Sequence, residues 1–275
     1  MTKSVYAGRD LSIMKCKEIT NIIEETFPLT SAMSFDHVGL QAGREDKEVK
    51  KIYIGLDATS DVIEHAVEFG ADMIITHHPL IFSPLETVTD KDFIGRRVVK
   101  MIQNDISYYA MHTNYDVERM ADLAAQIFGL KDVKVLETTI PENENGIEMG
   151  IGKIGTLKEA VTLEKCGELV KEKLNLDGVK ISGDKDKIIK TFAICPGSGK
   201  DTVDAAIEKG ADVIVAGDMG HHTAVDALER GLAVIDAGHY GTEYIFIDDM
   251  KKFIEKNISG VEVKTEEIKN TFYII

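Results

Sequence analysis

The sequence predicts an α/β fold made of two similar halves packed around a shared cleft. Three observations predict it. Short apolar strand-like runs alternate with amphipathic helices through most of the 275 residues. Residues 61–75 and 201–215 align without a gap at an offset of 140, with seven of fifteen positions identical. Histidines follow the ends of the strand-like runs, where open α/β sheets place their ligand sites.

The elements follow in chain order. Residues 11–27 carry apolar positions at helical spacing and stop before Pro28, a residue that cannot continue a helix. The turn-rich SFDHVGLQAG covers 34–43, and KKIYIGL at 50–56 reads as a buried strand. A helix over 61–70 ends on Gly70, followed by a strand at 71–75, a helix at 91–104, a strand at 105–111 and a helix from Asp116 to Gly129. Glycine supplies the left-handed turn that stops such helices. Residues 131–189 hold the acidic PENENG at 141–146, a glycine-rich strand-like GIGKIGTL at 150–157, and an amphipathic helix at 162–174 that Thr162 can cap. Strand, helix, strand, helix and strand then recur at 190–195, 201–210, 211–216, 223–231 and 232–237. Short turns between alternating elements imply mainly parallel strands. The expected halves are residues 1–130 and 131–275. The repeat at offset 140 reads either as an internal duplication or as shared helix-to-strand turn chemistry. The preceding strands fall into the same register, which favours duplication.

Composition narrows the function. The chain carries 47 acidic and 32 basic residues, a net charge of −15. Nucleic-acid binding rests on Lys and Arg contacts to phosphate, so such a partner is disfavoured. A small anion drawn to bound cations is not. No apolar run is long enough for a membrane span, and the N-terminus lacks a secretory core. Cys16, Cys166 and Cys195 are too few and too scattered for a disulfide framework or a CxxC pair. They read as reduced thiols of a cytoplasmic protein. No G-x-S-x-G nucleophile elbow is present.

The histidines carry the chemistry. His77-His78 follows the apolar MIIT and precedes Pro79. Adjacent side chains diverge, so the dyad either serves two neighbouring metals or caps the strand end structurally. One strand ends in His112-Thr-Asn-Tyr-Asp116, and the matching strand of the second half ends in His239-Tyr-Gly-Thr-Glu243. Histidine and carboxylate four residues apart share a face on a helical turn. Imidazole with carboxylate suits zinc, iron or manganese. A carboxylate between two divalent ions lowers their mutual repulsion, as in two-metal sites that activate water. His37 and the pair His221-His222 are open between a structural part and a substrate contact, and His65 reads as a surface residue. GIGKIG lacks the spacing of a phosphate loop.

These motifs together resemble the NIF-three-like dinuclear metal-centre family, the GTP cyclohydrolase 1 type 2 homologues. The resemblance spans nearly the whole chain: FDHVGLQAG at 35–43, LDAT at 56–59, GADMIITHHPLIF at 70–82, HTNYD at 112–116, GIGKIG at 150–155, GSG at 197–199, GADVIVAGDMGHH at 210–222 and DAGHYGTE at 236–243. It implies a ring-shaped homohexamer with metal sites facing an inner cavity. Carried over by position, the family's ligands to two divalent ions fall on His77, His78, Asp116, His239 and Glu243. Glu243 is the bridge, and His112 stands behind the ligands. The family often has Asn where this chain has His37, and the chain is too short for the extra domain of longer members. The implied activity is metal-dependent hydrolysis of a nucleotide-like substrate such as GTP. The alternative is a non-catalytic metal-bearing scaffold or regulator.

Overall fold

The computed structural model describes residues 13–140 and 148–275. The first two residues of the expected helix over 11–27, and the acidic 141–146, lie outside the described residues. Two compact units emerge. The first holds the described residues up to Leu29, with Phe35–His112 and Ile247–Glu267; the second holds Thr30–Ser34, Thr113–Phe246 and Ile268–Ile275.

The first unit is built on a five-stranded sheet. Its spatial order is Glu262–Thr265, Lys51–Gly55, Met73–Thr76, Ser107–Ala110, Gly39–Ala42. The first four strands are parallel and Gly39–Ala42 is antiparallel. Ile52, Ile54, Met73, Ile75 and Tyr109 are buried, as strands covered on both faces require. Helices Ser60–Phe69 and Phe93–Gln103 seal one face, where Tyr53, Ile63, Ile74, Met101 and Tyr108 form one core. The Thr59 hydroxyl accepts from Val62 N–H at the start of the first helix, and Asp92 accepts from Ile94 and Gly95 N–H at the start of the second. Each cap satisfies amide donors that a helix start leaves open. Helix Cys16–Thr26 buries Ile19, Ile22 and Ile23, and its Glu24 accepts a hydrogen bond from the Tyr109 hydroxyl.

The second unit is built on a six-stranded sheet in the order Lys131–Ile140, Met149–Thr162, Ile188–Ser198, Val213–Gly217, Ala233–Asp236, Lys180–Ser182. The strands from Ile188, Val213 and Ala233 run parallel, and the others are antiparallel to their neighbours. The expectation of mainly parallel strands therefore holds for four of the five strands of the first sheet and fails for the outer strands of the second, where only the central three are parallel. Leu136, Ile154, Ala193, Ile214 and Val234 belong to one buried cluster. Thr162 caps helix Leu163–Lys173 by accepting from Lys165 N–H, as its position suggested.

The units share a hydrogen-bonding plan. Ile52 pairs with Met73 in the first, and Phe192 with Val213 in the second, each shifted by 140. Asp72 accepts from Lys50 and Lys51 N–H; Asp212 accepts from Lys190 and Thr191 N–H. Gly70 has φ 73° and Gly210 φ 72°, the left-handed turn that glycine adopts without strain. The plans part at one edge. Lys51–Gly55 takes Glu262–Thr265 as a parallel neighbour, whereas Ile188–Ser198 takes Met149–Thr162 as an antiparallel one.

Compactness divides the chain elsewhere than at residue 130. The strand Glu262–Thr265 returns to the first sheet by pairing with Lys51–Gly55. Tyr115 packs on Phe246 and Phe128 on Phe192, both with ring centroids 4.9 Å apart, and these contacts hold 113–128 in the second unit. No helix among the described residues is long and apolar enough to cross a membrane.

Candidate metal centre

In the first unit, the buried strand Met73–Thr76 delivers His77 and His78 at its carboxyl end. The turn that follows is pinned by the buried Tyr108. Its hydroxyl donates to the His78 carbonyl and accepts from Leu80 N–H. His77 is fully buried, with Nδ1 2.8 Å from the Met111 carbonyl. A carbonyl only accepts, so Nδ1 carries the proton and Nε2 the lone pair. The same logic applies to His78, whose Nδ1 lies 2.8 Å from Asp57 Oδ1, and to His112, whose Nδ1 lies 3.0 Å from Asp36 Oδ1. The Asp36 side chain is fully buried. One ring nitrogen from each of His77, His78 and His112 falls within 4.8 Å of the others.

In the second unit, Val213–Gly217 leads into Asp218, which has a left-handed backbone at φ 56°. Ala233–Asp236 leads through Gly238 into the one-turn helix His239–Glu243. His239 Nδ1 is 2.7 Å from Asp218 Oδ2, and its Nε2 is 3.0 Å from Glu243 Oε2. The four-residue spacing thus does what it predicts: two ligand atoms meet on one face. Asp116 opens a wide turn over Asp116–Met120, in which Ala121 N–H reaches back to the Asp116 carbonyl. Turns of this kind recur at functional sites. A carboxylate oxygen of Asp116 comes within 4.8 Å of one from Glu243. The buried Cys195 thiol is pushed up to about 12 by desolvation and then by the charges of Asp116 and Glu243, so it stays protonated and is a poor metal ligand.

Glycines make room for this arrangement. A Cβ at Gly197, where φ is 73°, would stand 2.1 Å from Glu243 Oε1. A Cβ at Gly217 would meet the His239 backbone nitrogen at 2.5 Å. Gly197 N–H also donates to Thr242 Oγ1, beside Glu243.

The donor sets suit divalent ions. The Nδ1 atoms of the imidazoles face oxygen acceptors, the arrangement that orients histidine ligands to a metal through Nε2 and raises their basicity. Carboxylates complete a nitrogen-and-oxygen set of the kind zinc, iron and manganese accept. Sequence reasoning named His77, His78, Asp116, His239 and Glu243, each of which falls in a cluster that could hold a metal ion. It missed Asp36, Asp57 and Asp218, which hold the rings, and their only sequence signal is adjacency to turn glycines and histidines. The two H-x3-D/E motifs follow equivalent strands, but they are one position out of step. The Met111 and Ala237 amides make the equivalent bonds, to Thr76 and Ala216, so His112 corresponds to Gly238 and not to His239. His37 is exposed, and its backbone N–H donates to Asp36 Oδ1. His221 and His222 are exposed at the start of helix His221–Glu229, which neither caps by its side chain, and His65 is exposed as expected. GIGKIG lies inside the strand Met149–Thr162, where a Cβ at Gly150 would collide with the Glu137 carbonyl.

The fold and this clustering of histidine and carboxylate define a two-sheet α/β protein with a candidate metal centre. The Duf34/NIF3 (NGG1p interacting factor 3) profile matches residues 14–271, and the chain belongs to that family. It is 35% identical over 266 residues to the GTP cyclohydrolase 1 type 2 homolog of Clostridium perfringens, covering 95% of this chain and 100% of the relative. It is 36% identical over 254 residues to that of Clostridium acetobutylicum, covering 92% and 94%. The crystal structure of a Bacillus cereus protein related to NIF3 superposes with a TM-score of 0.89 at 27% identity, covering 96% of this chain and 99% of the other.

Proposed function

We propose that His77, His78, Asp116, His239 and Glu243 together hold two divalent ions, with Glu243 shared between them, and that the chain is a metal-dependent hydrolase acting on a nucleotide-like small molecule. The observation that carries the reading is the set of oxygen acceptors at Nδ1: Met111 O, Asp57 and Asp218 lie within hydrogen-bond reach of Nδ1 of His77, His78 and His239, which turns Nε2 of each ring to a metal, and that of His239 already lies 3.0 Å from Glu243 Oε2. Zinc, iron or manganese would supply Lewis-acid polarisation and an activated water. The chain's own residues supply position. Asp57 and Asp218 orient the imidazoles, and Gly197 and Gly217 admit Glu243 and His239 to the site.

GTP is the first substrate to test, because it stands in the names of the relatives. The repeated register at offset 140 supports an internal duplication whose halves each contribute ligands to one shared cleft. The family further supports a homohexamer in the cytoplasm. One observation favours the alternative of a non-catalytic metal-bearing scaffold. Asp36, Asp57 and Asp218 are each bonded to an imidazole, and Asp116 and Glu243 are used as ligands, so no carboxylate of this group is left as a separate acid or base.

The test is formate release from GTP by purified, metal-loaded protein, alongside metal analysis and light scattering. Turnover that Glu243→Gln abolishes supports the hydrolase. A metal-loaded hexamer inert toward GTP and a nucleotide panel refutes it in favour of the scaffold.

A further inference from the structure

A concave site that no histidine lines lies in the first unit. It is a cavity of about 610 Å³ lined by Ser60, Glu64, Asp90, Arg96, Arg97 and Lys100 among others. Three cations here face two carboxylates, in a chain whose net charge is −15. Lys100 is paired with Glu64 at 2.9 Å. The arginines are different. Among the described residues, neither Arg96 nor Arg97 forms an ion pair with a carboxylate. Arg97 is half-buried, and that burial, only partly offset by the charge of Asp57, disfavours its cation.

Guanidinium taken from water without a carboxylate partner is costly, and the surrounding structure fixes it in place. Arg97 Nε donates to Ser60 Oγ at 3.2 Å, and the guanidinium lies 5.0 Å from the Phe93 ring centroid. These contacts hold the planar fork, whose terminal N–H groups match phosphate oxygens. Ser60, Ile63 and Glu64 share one face of the helix Ser60–Phe69, and that face forms one wall of the cavity.

We propose that this cavity binds the phosphoryl group of a small anionic ligand through Arg96 and Arg97. No proposed metal ligand lines the cavity, and the two sites are joined by a short stretch of chain: Ser60, which holds Arg97, lies three residues beyond Asp57, which holds His78.

The test is titration calorimetry of the full chain with inorganic phosphate, pyrophosphate and a nucleoside diphosphate. At least one should bind, more weakly as salt rises. Arg96→Gln with Arg97→Gln should weaken binding by about tenfold or more, while Arg230→Gln, at a residue that does not line the cavity, leaves it unchanged. Since Arg97 also packs on Phe93, Arg96→Gln alone provides a variant at an exposed position with no structural partner, and it should weaken binding as well. A nucleoside diphosphate that binds tighter than pyrophosphate identifies a nucleotide as the source; equal affinity identifies phosphate alone. Binding that survives the double substitution unchanged, as it would at the metal centre, overturns the proposal, as does no measurable binding of all three anions.

Discussion

Glu243 Oε1 occupies the space a side chain at position 197 would take, 2.1 Å from where a Cβ would stand on Gly197. The glycine is also tied to the residue before Glu243, because Gly197 N–H donates to Thr242 Oγ1. Gly197→Ala therefore meets a steric block and a left-handed backbone together. The backbone alone costs about 1–3 kcal/mol. The expected outcome is a lower melting temperature and loss of bound metal. A variant that melts lower but keeps its full metal content would show that Glu243 does not depend on this cradle.

Asp57 and Asp218 hold His78 and His239 through Nδ1. Asp57→Ala and Asp218→Ala should each lower metal affinity by about 10–100-fold without removing a ligand. Competition with a chromogenic chelator measures this. Unchanged affinity in both would show that these carboxylates do not tune the ligands.

Much of this was readable in the residue order, and the rest was not, for physical reasons. Buried parallel strands such as Met73–Thr76 announce themselves as unbroken apolar runs, and Gly70 and Gly210 mark the ends of the helices before them. His239 and Glu243 were legible because their pairing is local, one turn of helix apart. Asp36 was not, since its partner His112 lies 76 residues away and nothing local marks the pair. Strand Glu262–Thr265 was missed because it is an edge strand of alternating exposed and half-buried residues, without the buried run that signals a central one. The wide turn at Asp116 has no sequence signature, since its extra residue is set by packing.

Gly70 and Gly210 offer a test of the repeated plan. A methyl group added at either would meet nothing within 4 Å, and their φ values are 73° and 72°. Alanine at either position thus incurs only the left-handed conformational cost, about 1–2 kcal/mol. Thermal unfolding of Gly70→Ala and Gly210→Ala should show similar losses. A large loss at one and none at the other would argue against equivalent turns.

The three cysteines are free and buried. Burial pushes the Cys166 thiol from an ordinary 9.0 up to about 12. The folded state therefore keeps protons that the unfolded state gives up between those values, and stability should fall as pH climbs from 9.0 toward 12. At a pH of about 8, below the ordinary thiol range, a thiol reagent should label none of the three in the native protein and all three in denaturant. Rapid native labelling would show that the buried thiols are accessible.

The central claim is that five ligands, spread from His77 to Glu243, serve one pair of ions. Anomalous scattering from crystals of the metal-loaded protein tests it most directly, read together with metal content of the His77→Ala, His239→Ala double variant. The predicted result is two peaks per chain, each bounded by residues from this set, and loss of most bound metal from the variant. Peaks elsewhere, or full metal retention by the variant, would contradict it.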